Sequence, residues 1–156
     1  MSPELMNAIV ELSRKMLTMK AIQETKTPDG VVTERELIIL ALLLEKGVLS
    51  VSDIAKEFPN VSYSTVSTDI TRLWRERKMV TKTTDPENQR ITLVDLTDKG
   101  RKTAETMQKQ RNDRMNNLYE AMNTTQEEEE VIIRVSNRAS EYFDNLLKNN
   151  GQKNKD

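Results

Sequence analysis

Residues 62–78 constrain the fold more than any other stretch of the chain. Val66, Ile70, Leu73, Trp74 and Arg77 recur at the spacing of one helix face, which predicts an amphipathic helix. The opposite face carries Ser64, Thr65, Ser67, Thr68 and Thr71, followed by Arg72 and Arg75. A surface helix that needed only solubility would more usually carry Glu and Lys pairs there. Short hydroxyls at the leading end and guanidiniums further on suit a helix that meets phosphates and base edges.

The flanking sequence gives this helix a setting. Upstream, Val51, Ile54, Ala55 and Phe58 mark a short helix that Ser50 can cap, with Asp53 three residues on. Pro59-Asn60-Val61 breaks the pattern; Asn60 suits a left-handed cap, and Ser62 can start the next helix. Two short helices joined in this way predict a helix-turn-helix, whose second helix enters a major groove. Downstream, residues 79–84 and 91–96 are rich in Val, Ile and Thr and read as strands around the turn Asp85-Pro86-Glu87-Asn88-Gln89-Arg90. A hairpin in that position is a wing.

The run from Asp85 to Arg90, with Leu93-Val94-Asp95-Leu96-Thr97-Asp98-Lys99-Gly100 after it, resembles the wing and following helix start of MarR-type regulators. Ser64-Thr65-Val66 and Arg72-Leu73 resemble that family's recognition helix, and the order of helices fits along nearly the whole chain. Three departures stand out. The turn at Pro59-Asn60-Val61 is one residue longer than usual and lacks the common Gly; Thr68 stands where Arg is frequent; and Asn88 replaces an Asp that usually steadies the wing Arg. The resemblance implies transcriptional control, usually repression by a homodimer, often relieved by a small aromatic effector bound where the dimer helices meet the winged domain. Met16 and Met19 could line such a pocket or serve as plain packing.

Composition removes whole classes of chemistry. With no Cys and no His, disulfides, thiol redox sensing, Cys/His zinc sites and nucleophile–His catalysis are excluded. That leaves out the peroxide-sensing variant of the family and argues against its zinc-sensing one. No Gly-rich phosphate loop or nucleophile elbow is present, so the chain reads as a non-enzyme with no cofactor. Glu127–Glu130 point round a helix and do not converge on a metal. The longest apolar run, residues 37–44, falls far short of the ~20 residues that span a bilayer. With no export signal visible, a soluble cytoplasmic protein is expected, with no membrane partner. A chain of this length can bury about 70% of its unfolded surface, so it needs no staples. Net charge is −1, yet residues 61–102 hold 9 Lys+Arg against 6 Asp+Glu, concentrating positive charge around the reading helix and wing.

Taken in order, Leu5, Ile9, Leu12, Met16 and Met19 form a narrow seam on a helix over residues 3–23, ended by Pro28-Asp29-Gly30. Thr33 and Glu36 form a capping box before the apolar run, which is expected to lie in the core. Thr97 should cap a helix over residues 98–122, 25 residues or roughly 37 Å long. Thr125 and Glu128 form a further box, opening a helix whose stripe runs through Ile132, Val135, Ala139, Tyr142 and Leu146. The seams at both ends of the chain want partners, either in a two-fold homodimer or on their own winged domain.

The expected fold is mainly α with a small β-hairpin wing. Residues 1–32 form a dimerisation helix and loop, 33–100 a winged helix-turn-helix, 101–148 a linker and second dimerisation helix, and 149–156 a disordered tail. The expected DNA-binding residues are Ser62, Ser64, Thr65, Thr68, Arg72, Arg75 and Arg90, on a double-stranded, roughly palindromic site with half-sites one turn apart, about 34–36 Å. Arg72 could instead pair with Asp69 or Glu76, and Arg90 with Asp85; Tyr63 and Trp74 read as packing residues. A winged-helix protein–protein adaptor would share the fold without binding duplex.

Overall fold

Helix starts in this chain are set by hydroxyl caps, and these locate the elements of the computed structural model, which describes residues 2–22, 26–27 and 30–153. Two compact units are present, Met1–Glu34 and Arg35–Asp156. In the first, α1 (Pro3–Ile22) opens with Pro at its first position and with the Leu5 N–H donating to Ser2 Oγ at 3.2 Å. Leu5, Ile9, Leu12, Met16 and Met19 are all exposed. The strands β1 (Lys26–Thr27) and β2 (Gly30–Val31) pair antiparallel, an addition to the turn expected there, of which Pro28 and Asp29 lie outside the described residues.

The second unit holds α2 (Glu34–Lys46, whose first residue closes the first unit), β3 (Leu49–Ser50), α3 (Val51–Lys56), α4 (Tyr63–Arg75), β4 (Val80–Thr84), β5 (Thr92–Leu96), α5 (Asp98–Met122) and α6 (Gln126–Lys153). The sequence pattern makes α2 core nearly all round. The helix buries Glu36, Ile39, Leu40 and Leu43 but leaves Ile38 and Ala41 exposed, since one face of a helix suffices to cover a small domain. Gly47, at φ 77°, ends the helix with its N–H donating to the Leu43 carbonyl. The Glu36 carboxylate lies buried in the domain, where two guanidiniums reach it.

The sheet runs β3-β5-β4, all antiparallel, with Val80 opposite Leu96 and Thr84 opposite Thr92. Its period of two buries Val94 and Leu96 against Ile54, Val66, Ile70 and Leu73 in one core. Each such side chain contributes roughly 1.5–3 kcal/mol on burial. The third strand, β3, is a finding of the structure: two residues are too few to show alternation in a sequence.

Thr97 fastens α5 to the end of the reading helix. Its hydroxyl donates to the Lys78 carbonyl at 2.8 Å and accepts the Gly100 N–H at 3.0 Å, while its own N–H reaches the Met79 carbonyl at 3.0 Å. Lys99 Nζ donates to the Arg77 carbonyl at 2.9 Å. Lys78 takes a left-handed φ of 57° to turn the chain here. Gly100 packs so closely on Met79 that an added Cβ would sit 1.8 Å from the carbonyl oxygen.

Asn123, at φ 46°, closes α5. The expected box then opens α6: Thr125 N–H donates to Glu128 Oε2 at 2.8 Å, and Glu128 N–H to Thr125 Oγ1 at 3.3 Å. The Thr125 backbone N–H, then its hydroxyl, hold the Glu128 carboxyl below the usual carboxylate range. The α6 helix continues to Lys153, into the segment expected to be a disordered tail; residues 154–156 lie outside the described residues. Large apolar side chains remain exposed along both helices, among them Leu118 and Met122 of α5 and Ile132, Tyr142, Phe143 and Leu146 of α6. No helix among the described residues is long and apolar enough to cross a membrane.

Candidate nucleic-acid interface

The two helices of the reading unit are each started by a serine. Ser50 accepts the Asp53 N–H at 3.0 Å and donates to Asp53 Oδ2 at 2.7 Å. Lys56 and then this hydroxyl hold the Asp53 carboxyl below its ordinary range. The Val61 N–H closes the turn on the Phe58 carbonyl at 2.9 Å, and the buried Phe58 ring anchors it. Asn60 is not left-handed: among the described non-glycine residues only Lys78 and Asn123 have positive φ. The extra turn residue lets the chain reverse without that conformation.

Ser62 caps α4 by accepting the Thr65 N–H at 3.2 Å, and its Oγ lies 2.9 Å from Ser64 Oγ and 2.7 Å from Thr65 Oγ1. These three hydroxyls thus form one group at the positive end of the helix dipole, suited to a phosphate. Thr68 donates its hydroxyl hydrogen to the Ser64 carbonyl at 2.8 Å. What it offers outward is therefore a methyl group and an acceptor, the pair that can touch a thymine methyl or take a base-edge amino hydrogen.

The three arginines fall in different surroundings. Arg72 turns toward α2, with Nη1 3.4 Å from Glu36 Oε1 and 3.4 Å from Asp69 Oδ1, and only a third of its side chain is exposed. Of the two pairings expected as alternatives, Asp69 is realised. Asp69 is also held by Arg35 at 2.7 Å, and Glu36 by Arg77 at 3.2 Å. Arg35, Glu36, Asp69, Arg72 and Arg77 therefore make one network beneath the reading helix. Sequence reasoning missed it; the one signal was a Glu at the edge of the longest apolar run.

Arg75 is exposed and lies over the Trp74 ring, 5.0 Å from its centroid. Trp74 itself is 36% exposed and Tyr63 57%, so neither is the packing residue expected. The inner face of α4 needs only Val66, Ile70 and Leu73 to fill it. Lys82 of β4, which no sequence pattern singles out, sits 5.5 Å from the same indole.

Arg90 lies exposed in the wing turn, with no ion-pair partner among the described residues. Asp85, the alternative partner, is used otherwise: its Oδ1 accepts the Glu87 N–H at 2.8 Å and the Asn88 N–H at 3.4 Å. Asn88 in turn accepts the Arg90 N–H at 3.1 Å. The replacement for the usual Asp thus fixes the backbone of Arg90 and leaves its guanidinium open to an outside anion.

A helix-turn-helix with a hydroxyl-lined second helix, followed by an antiparallel hairpin, defines a winged helix-turn-helix domain. No family model matches the chain. It is 30% identical over 115 residues to YdgJ of Bacillus subtilis (strain 168), an uncharacterized HTH-type transcriptional regulator, covering 74% of this chain and 68% of that protein. Among solved structures, YusO of Bacillus subtilis matches with a TM-score of 0.64 at 25% identity, over 90% of this chain and 99% of that one. FabT of Streptococcus pneumoniae, solved in complex with DNA, shares the fold with a TM-score of 0.79 at 15% identity, over 92% and 97%. The chain belongs to the MarR family of winged helix-turn-helix transcriptional regulators. As such it is a regulator and not an enzyme.

Proposed function

We propose that this chain is a sequence-specific, double-stranded DNA-binding repressor that acts in the cytoplasm as a homodimer on a pseudo-palindromic operator. The observation that carries the reading is the hydroxyl group at the start of α4, together with a wing arginine that no carboxylate among the described residues engages. A neighbour of the same fold, FabT, was solved with DNA. Ser62, Ser64, Thr65 and Thr68 read the major groove and its phosphates, Arg75 takes backbone phosphate, and Arg90 reaches the adjacent minor groove. Arg72 acts first through its pairing with Glu36 and Asp69. In this reading residues 33–100 bind DNA, and residues 1–32 and 101–148 serve dimerisation. Repression and release by a small aromatic ligand follow from family resemblance alone.

Exposed apolar faces on α1, α5 and α6 support the homodimer, since so much apolar surface is rarely left to water. Changing Phe143 and Leu146 together to Glu should yield a monomer in sedimentation, with the winged domain still folded and palindrome binding lost. A variant that remains a dimer would remove these residues from the interface.

Selection from a random duplex pool should recover two half-sites about 34–36 Å apart. If six to ten phosphates are contacted, log affinity should fall with log salt at a slope near −0.9 per contact. Arg90→Ala should weaken binding with the dimer intact. A flat salt response and no recovered sequence would favour the protein–protein adaptor.

A further inference from the structure

Resting on that DNA-binding reading, we infer that Arg75 and Lys82, gathered on the indole of Trp74, form a phosphate clamp on the duplex backbone beside the half-site. The two cations come from different elements, the last turn of α4 and the middle of β4, yet lie 5.0 and 5.5 Å from one ring centroid. Attraction to the helix C-terminus would account for Arg75 alone, but not for a strand lysine meeting it there. Among the described residues neither cation has an ion-pair partner, and Glu76, next in sequence to Arg75, engages neither.

The ring explains how the charges are held. An indole face attracts each cation by about 0.5–1 kcal/mol at an exposed site and limits the wandering of two long side chains. It does not neutralise them. Two like charges held on one ring, with no counter-charge among the described residues, favour an anion beside them. Arg can grip a phosphate with two N–H groups, and Lys supplies a point charge. The site lies at the opposite end of α4 from the Ser62 hydroxyl group, so it would meet sugar–phosphate backbone and add affinity without reading bases. Lys82 thereby joins the interface, and Trp74 acts as a positioning residue.

The test uses the full chain and a mixed-sequence duplex of about 25 base pairs, long enough for two half-sites. Affinity is measured across a salt series for the unmodified chain, Arg75→Gln, Lys82→Gln and the double variant. Each single change removes one contact in each half-site, so the salt slope of the dimer should become shallower by about 1.8, and by about 3.6 for the double change. Trp74 is the only tryptophan, so its emission in the unmodified chain should change as duplex saturates the protein. An unchanged slope in the double variant, or an emission indifferent to saturating duplex, overturns the clamp. If Arg90→Ala, measured alongside in the same salt series, still weakens binding, the DNA-binding reading survives the loss. Failure of the unmodified chain to bind in a salt-dependent manner overturns both.

Discussion

Arg77→Leu should destabilise the fold by about 3–5 kcal/mol, because it takes the Arg77 guanidinium, 3.2 Å away, from the fully buried Glu36 carboxylate. Hydrophobic transfer alone would favour the change. Desolvation of an under-compensated carboxylate outweighs that gain and decides the sign. In a domain of this size the loss corresponds to a fall in Tm of about 6–20 °C. The double variant Arg77→Leu/Glu36→Leu should recover much of it, since removing both partners removes the stranded charge. Thermal melts of the two single variants and the double would complete the cycle. A double variant as unstable as Arg77→Leu would mean that shape, and not charge, sets the requirement at this site.

Gly100→Ala should cost about 3 kcal/mol, at the upper end of what one added methyl group does in a packed interior. The reason is the obstacle. The new Cβ would lie 1.8 Å from the Met79 carbonyl oxygen and 2.8 Å from its carbon, and backbone cannot rotate aside as a side chain can. Either α5 lifts from the turn at Lys78 or the strand start shifts, and both break the bonds made by Thr97. Helix propensity runs the other way, by about 1 kcal/mol in favour of Ala, and is outweighed. The check is a melt against Thr97→Ala, which should lose the cap and the hydroxyl's bond to the Lys78 carbonyl, about 1–2 kcal/mol, while leaving the close packing of Gly100 in place. A Gly100→Ala protein as stable as the parent would show that the junction yields.

What the sequence revealed follows from the range of the interactions involved. Ser50, Ser62, Thr97 and Thr125 each cap a helix by bonding a group three residues away, and all four are legible by eye. The bounds of α5 are equally plain. Arg72 is the contrary case: its spacing places it on the outer face, but its partner Glu36 lies 36 positions earlier, and no local pattern shows that. Residue type alone sends Trp74 and Tyr63 to packing, whereas the domain fills its interior with smaller aliphatic side chains. Lys82 is invisible in the sequence because its significance depends on a strand folding beside the end of a helix. The hydroxyl group at the start of α4 is legible in full, since a cap and its neighbours share one turn.

The fastening of α5 at Thr97, Lys99 and Gly100 leaves little freedom between the long helix and the carbonyls of residues 77–79, which end the reading segment. The two should therefore move as the arms of one bracket. On the proposed reading, a swing of the long arm by a few degrees would carry the short one with it and change duplex affinity from far away, with the side chains assigned to DNA left undisturbed. Spin labels placed on α4 and on the first turns of α5 would keep one separation with duplex present or absent. In the proposed homodimer, labels on the two copies of α4 would not.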